Sequence, residues 1–159
     1  MLERLLLLKR IQLRPDFARL LLRVMVFVPL FLKHGVEKLT TFGTMSQHFP
    51  DPLHLGPVPT LAIAMIADGI CAPLIVIGLG TRLAALYSVG NVFVAWAFVH
   101  HMAIVTRQDQ GGETLFLYLA ACLVVFFGGP GKYSIDGLIE RKRATKHENA
   151  EAIARTVKA

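Results

Sequence analysis

The feature that most limits what this chain can fold into is the run from residue 58 to residue 79, VPTLAIAMIADGICAPLIVIGL, in which Asp68 is the lone charged side chain. A membrane-spanning helix needs about 20 mostly apolar residues, since each residue rises about 1.5 Å and the hydrocarbon layer is about 30 Å thick. Three other stretches approach that length: FARLLLRVMVFVPLFL from residue 17, LAALYSVGNVFVAWAFVHHMAIV from residue 83, and TLFLYLAACLVVFFG from residue 114. Hydrocarbon offers no partner to a backbone amide, so such runs specify helices, which satisfy their own. The expectation is an all-α integral membrane four-helix bundle. Its spans are expected at about 17–33, 58–79, 83–105 and 113–129, within one domain over 17–131. The first run is short and carries Arg19 and Arg23 near its start, where long side chains can snorkel to the interface. Pro29 near its end is tolerated in a membrane helix.

Charge sets the orientation. Only 18% of the residues are charged, against about a quarter in a soluble domain. The cations cluster in residues 1–23 and 130–159, leaving Lys33, Lys38, Arg82 and Arg107 between. Basic flanks stay on the cytoplasmic side. Both termini are therefore expected in the cytoplasm of a cell with the chain in its inner membrane, which agrees with an even number of spans. The turn Gly80-Thr81-Arg82 then faces in. The loop KHGVEKLTTFGTMSQHFPDPLHLGP and the loop TRQDQGGE face out. Leu39, Phe42, Met45 and Phe49 in the longer loop recur at helical spacing and suggest a short interfacial helix that Pro50 and Pro52 end. A nucleic-acid reader needs its basic residues on a soluble face, so the bilayer is the expected partner and nucleic acid is not.

Residues 1–16 read as an amphipathic interfacial segment. Leu2, Leu5, Leu6 and Leu8 dip into lipid while Arg4, Lys9 and Arg10 meet anionic head groups. Its four-leucine run is too short for a signal-peptide core, and no small-residue cleavage site follows. Residues 132–159 read as a cytoplasmic tail, a charged surface helix from Ser134 that then frays. Cys71 and Cys122 both sit in apolar runs without a C-x-x-C, which fits buried packing rather than dithiol exchange. The GGPG stretch stops a helix and lacks the ending of a phosphate loop.

The polar residues inside the apolar runs carry the functional reading. An ionisable group at the centre of a membrane helix costs about 2.5–3.5 kcal/mol on insertion scales, so it faces the bundle interior and has a partner. Asp68 and Asn91 lie at similar depth and are the natural hydrogen-bonding pair, either as polar glue between helices or as a proton-relay or ligand contact. A second group gathers at the outer end. His34, Glu37 and Lys38 follow the first span, His100 and His101 end the third, and Glu113 begins the fourth. On a uniform helix His101 lies about 80° from Asn91 and His100 about 180°, which favours His101 for the interior. Three readings stay open: a helix-end network that fixes the loops, a redox or small-ligand pocket with Trp96 in its wall, and a metal site from His34, His101 and Glu113.

Three stretches then resemble the DoxX family: HGVEKL, ADGICAPLIVIGLGTRLAAL and GGETLFLYLAACLVVFFGGPGKYSID. The resemblance covers roughly residues 17–140, and the GGE…LYL…GPG-YS-D pattern is its most specific part. It implies a four-helix membrane protein, with quinone as the implied ligand and membrane redox proteins as implied partners. His34, Lys38, Asp68 and Glu113 match the family's polar positions, with Asp68 standing where the family usually has Glu. The sequence holds no dinucleotide fingerprint, haem-attachment motif or iron–sulfur cysteine set. Quinone chemistry would therefore draw on a partner, and no self-contained catalytic motif marks the chain as an enzyme. A small transporter or channel, and a non-catalytic anchor or assembly factor, are the rival readings. A homo-oligomer stays open beside either.

Overall fold

A computed structural model describes residues 15–104 and 111–158. Most of the expected amphipathic segment 1–16, and Arg107, lie outside the described residues. Among these residues every regular element is helical. Helix α1 runs over residues 15–40, α2 over Phe42–Met45, α3 over Pro57–Ile77, α4 over Thr81–Val99, α5 over Gly111–Gly128 and α6 over Ile135–Lys158. Three of them, α3, α4 and α5, are long and apolar enough to cross a membrane. The fourth apolar stretch forms α1, which carries Asp16, Arg19, Arg23 and Lys33.

Helices α1, α3, α4 and α5 share one core. Phe27 and Leu30 from α1, Cys71, Ala72 and Ile75 from α3, Ala84 and Ala85 from α4, and Cys122 and Val125 from α5 form a single buried cluster. Its alanines and cysteines are small, so the backbones approach closely and dispersion replaces a hydrophobic drive that lipid cannot supply. Helix α1 lies along α3 and against α5, α3 against α4, and α4 along α5. Both cysteines are free and buried. Leu83, Phe127, Met25 and Leu117 are among the most exposed large side chains, an outward apolar face that suits lipid rather than water.

Three helices change pitch along their length. Residues Phe31–Gly35 of α1, Ile66–Cys71 of α3 and Ala95–Val99 of α4 are wound as π-turns, with amide bonds reaching five residues back from Val36 to Phe31, Ala72 to Ala67 and His100 to Ala95. Pro29 and Pro73 flank two of these turns and lack amide donors, which loosens the regular ladder beside them. Where the turns of α1 and α3 meet, Gly35 sits against the backbone carbonyl of Asp68, so closely that a β-carbon there would collide with it. Helix α3 ends at Gly78, left-handed at φ 75°, with the amides of Gly78 and Leu79 both returning to the Leu74 carbonyl. The tight connection is thus Gly78-Leu79-Gly80, and Thr81 and Arg82 already belong to α4.

Two expectations from sequence are corrected at the opposite end. Arg23 does not snorkel: it is 1% exposed, and its Nη2 donates to the Tyr133 carbonyl. The segment after α5 folds back over it and takes away the route to water. The tail does not fray within the described residues, since α6 runs continuously to Lys158. Its Ala, Glu, Lys and Arg content is helix-forming on its own.

A polar cavity between four helices

Beside the three π-turns lies a cavity of about 670 Å³, a size suited to a small organic ligand. Leu30, Ile63, Val94, Val99 and Leu115 give it apolar walls, and Phe49, Pro50, Leu53 and Leu55 of the loop after α2 close over it. That loop is held by Asp51, whose carboxylate accepts from the amides of Leu55 at 3.0 Å and Gly56 at 2.7 Å and from the Thr60 hydroxyl at 2.9 Å. Desolvation pushes the Asp51 carboxyl up, but these donors outweigh it and hold the group below its ordinary value.

The polar part of the wall includes His34 and Lys38 from α1, Asp68 from α3, Asn91 from α4 and His100 just past its end. Lys38 donates from Nζ to Asp68 Oδ2 at 2.8 Å, and the two side chains are only 12% and 10% exposed. Asp68 thus points inward, but its partner among the described residues is Lys38. The expected Asp68–Asn91 pair gives way to a pair that crosses from α1 to α3, while Asn91 lines the same cavity. The close approach at Gly35 explains the choice. It draws α1 onto α3 at Asp68, and Lys38 lies one turn farther along α1, within reach of the carboxylate. His34 packs edge-on against the Tyr118 ring, with centroids 6.4 Å apart.

The remaining expected site residues lie elsewhere. Glu113 and Glu37 are exposed and are not in the cavity wall, which α5 forms from Gly111, Thr114, Leu115 and Tyr118. These four recur at helical spacing on one face, and Glu113 falls off it. His100 lines the cavity in place of His101, because α4 widens into a π-turn, ends at Val99, and leaves His101 at φ 50°. A wheel of uniform 100° steps does not apply across such an end. Trp96 stacks against Phe116 with centroids 5.4 Å apart and donates to the Ala103 carbonyl at 3.4 Å, so it pins the chain leaving α4. Among the described residues no three His, Cys, Asp or Glu side chains come together as a metal set, so His34, His101 and Glu113 do not assemble one.

Sequence reading missed Tyr118 and Lys33 in this wall. The recurrence of Gly111, Thr114 and Tyr118 was the available signal for the first. It also missed the latch at the other end of the helices. Asp136 accepts from the Gly80 amide, the Thr81 amide and the Thr81 hydroxyl, each at 2.9 Å, and so caps α4 from across the chain. Its own amide donates to the Gly78 carbonyl at 2.9 Å. Ser134 caps α6 through the Gly137 amide at 3.0 Å. The GPGKYSID stretch is therefore a structural joint that seals Arg23 beneath it.

A family model described as DoxX matches residues 18–101. A Haemophilus influenzae protein with the recorded name "Uncharacterized protein" is 30% identical over 120 residues, covering 73% of this chain and 80% of that one. No solved structure matches the chain.

Proposed function

This chain belongs to the DoxX family, and from that premise we propose that it is a four-span protein of the inner membrane that binds a quinone in the cavity and supports a membrane redox complex. The observation that carries the reading is the Lys38–Asp68 pair, 2.8 Å apart, in the wall of an otherwise largely apolar cavity of ligand size. A quinone needs a flat apolar slot for its ring, donors for its carbonyl oxygens and a proton source. Lys38 and His34 would donate N–H groups to the carbonyl oxygens, Asp68 would take up protons from water and return them to Lys38, and Leu30, Val99 and Leu115 would line the ring slot. Reduction of a quinone to its quinol consumes two electrons and two protons. The electrons would come from a partner redox protein, and the protons from water by way of the Lys38–Asp68 pair.

Helix α1 is the fourth span in this reading, completing a four-helix bundle. Phe17, Leu21, Met25 and Leu32 are exposed along it, an outer face that suits lipid. The basic N-terminal and C-terminal flanks favour cytoplasmic termini, which puts the cavity at the outer leaflet. The test is quenching of Trp96, the single tryptophan, by ubiquinone-1 in the detergent-purified full chain. Saturable quenching that is lost in Asp68→Asn and Lys38→Met, while both variants insert and stay helical, supports the reading. Quenching that persists unchanged in both would leave the pair as a tie between α1 and α3 and refute the quinone site.

A further inference from the structure

A second cavity, open and about 700 Å³, lies at the other end of the helices. It collects Arg19, Arg82, Lys132, Arg141 and Arg143 from four separate segments of the chain. Three carboxylates share the wall: Asp16, Asp136 and Glu140. Asp16 is taken by Arg19 at 3.0 Å and by the Lys132 amide at 3.1 Å, and Asp136 by Gly80 and Thr81. Five cations against three carboxylates leave the wall with an excess of positive charge. Arg141 donates from Nε to the Gly137 carbonyl and from Nη2 to the Lys132 carbonyl, neutral acceptors that leave its charge uncompensated. Arg82 and Arg143 form no ion pair with any described residue. The Arg82 guanidinium lies over Gly129, left-handed at φ 70°, where a β-carbon would stand 3.3 Å from it.

The position selects the kind of anion. Helix α4 starts at Thr81 and α5 ends at Gly128, and both are of membrane-crossing length, so the cavity sits at the level of the lipid head groups. Leu83 and Ile139 line it too, 77% and 39% exposed, giving an apolar edge beside the cations. A free phosphate has no use for that edge. We propose that the cavity holds the phosphodiester of an anionic phospholipid, with Arg82 and Arg143 clamping the phosphate and Leu83 and Ile139 beside the glycerol and upper acyl carbons. Guanidinium forks match phosphate oxygens in a bidentate way that an ammonium cannot. Binding here would set the depth of α4 and α5 and the angle at which α6 leaves the membrane. It does not depend on the quinone reading.

The experiment is native mass spectrometry of the full chain from mixed micelles of detergent with phosphatidylglycerol or phosphatidylcholine. Retention of phosphatidylglycerol over phosphatidylcholine is expected, falling about fivefold for each arginine removed in Arg82→Gln/Arg143→Gln. The control Lys142→Gln/Lys146→Gln, which removes two α6 cations outside the cavity, is expected to leave retention unchanged. An equal loss in the control would mean diffuse attraction to a basic helix and overturn the site. Displacement by soluble glycerol phosphate at the same concentration would make free phosphate the ligand and overturn the lipid assignment. Should the double variant fail to fold, Arg82→Lys keeps the charge and loses the fork. Partial loss there supports the clamp, and full parental retention refutes it.

Discussion

Replacing Lys38 by Met strands the Asp68 carboxylate, and the size of the effect follows from the burial of the pair. At 2.8 Å and an effective dielectric of about 20, the attraction between the two charges is about 6 kcal/mol. Most of that is cancelled by the cost of taking both groups out of water, so the pair as a whole contributes little, whereas breaking it leaves an uncompensated charge. Lys38→Met should therefore cost about 3 kcal/mol. Asp68→Asn should cost less, about 1–2 kcal/mol, because the long lysine stem can carry its ammonium out to solvent and a carboxylate fixed on α3 cannot move. The double variant Lys38→Met/Asp68→Asn should lie near the Asp68→Asn value, giving a coupling energy of about 3 kcal/mol. Unfolding by sodium dodecyl sulfate from mild-detergent micelles, followed by circular dichroism, measures all four proteins. A Lys38→Met cost below about 0.5 kcal/mol, the level of an exposed ion pair, or strictly additive single effects, would refute the reasoning.

Other consequences can be checked in the same preparations. Glycine to alanine inside a helix usually gains up to about 1 kcal/mol, but Gly35→Ala should instead cost about 1–3 kcal/mol by driving a methyl into the Asp68 carbonyl. A gain in Tm would contradict the close approach. Asp136→Ala should cost about 1 kcal/mol as a lost helix cap. Burial pushes the Asp136 carboxyl up, but Thr81, Gly80 and the Arg23 charge prevail and hold it below its ordinary value. Its contribution is therefore present above about pH 4 and lost as pH falls through the lower folded value. The Tm gap between parent and variant should close on acidification, and a gap that widens would reverse the assignment. If quinone quenches Trp96, Tyr118→Ala should weaken it, and Glu113→Ala, off the cavity face, should leave the titration unchanged. Reporter fusions after residue 55 should be external and after Ala159 cytoplasmic; an external C-terminus defeats the four-span arrangement.

Hydropathy is a local property, so the amino-acid sequence alone determined that this chain is helical, that its long apolar runs suit a membrane, and that Asp68 must turn inward. The family followed from the same stretches. His34, Lys38, Asp68, Asn91 and His100 were all legible as candidates, because each is a polar group that lipid would penalise. Their partners were not legible. Pairing depends on which faces of which helices meet, and that is decided by contacts between residues far apart in the chain. Gly35 against the Asp68 carbonyl brings Lys38, rather than Asn91, to the carboxylate. Uniform helical steps misplaced His101 because a π-turn and an abrupt end reset the angle after Ala95, and Glu113 fell one position off the inward face of α5. Arg23 read as a snorkelling cation until the returning chain at Tyr133 and Asp136 covered it. Side-chain chemistry fixed which groups had to be buried or paired, and only the close packing of small residues between helices decided with what.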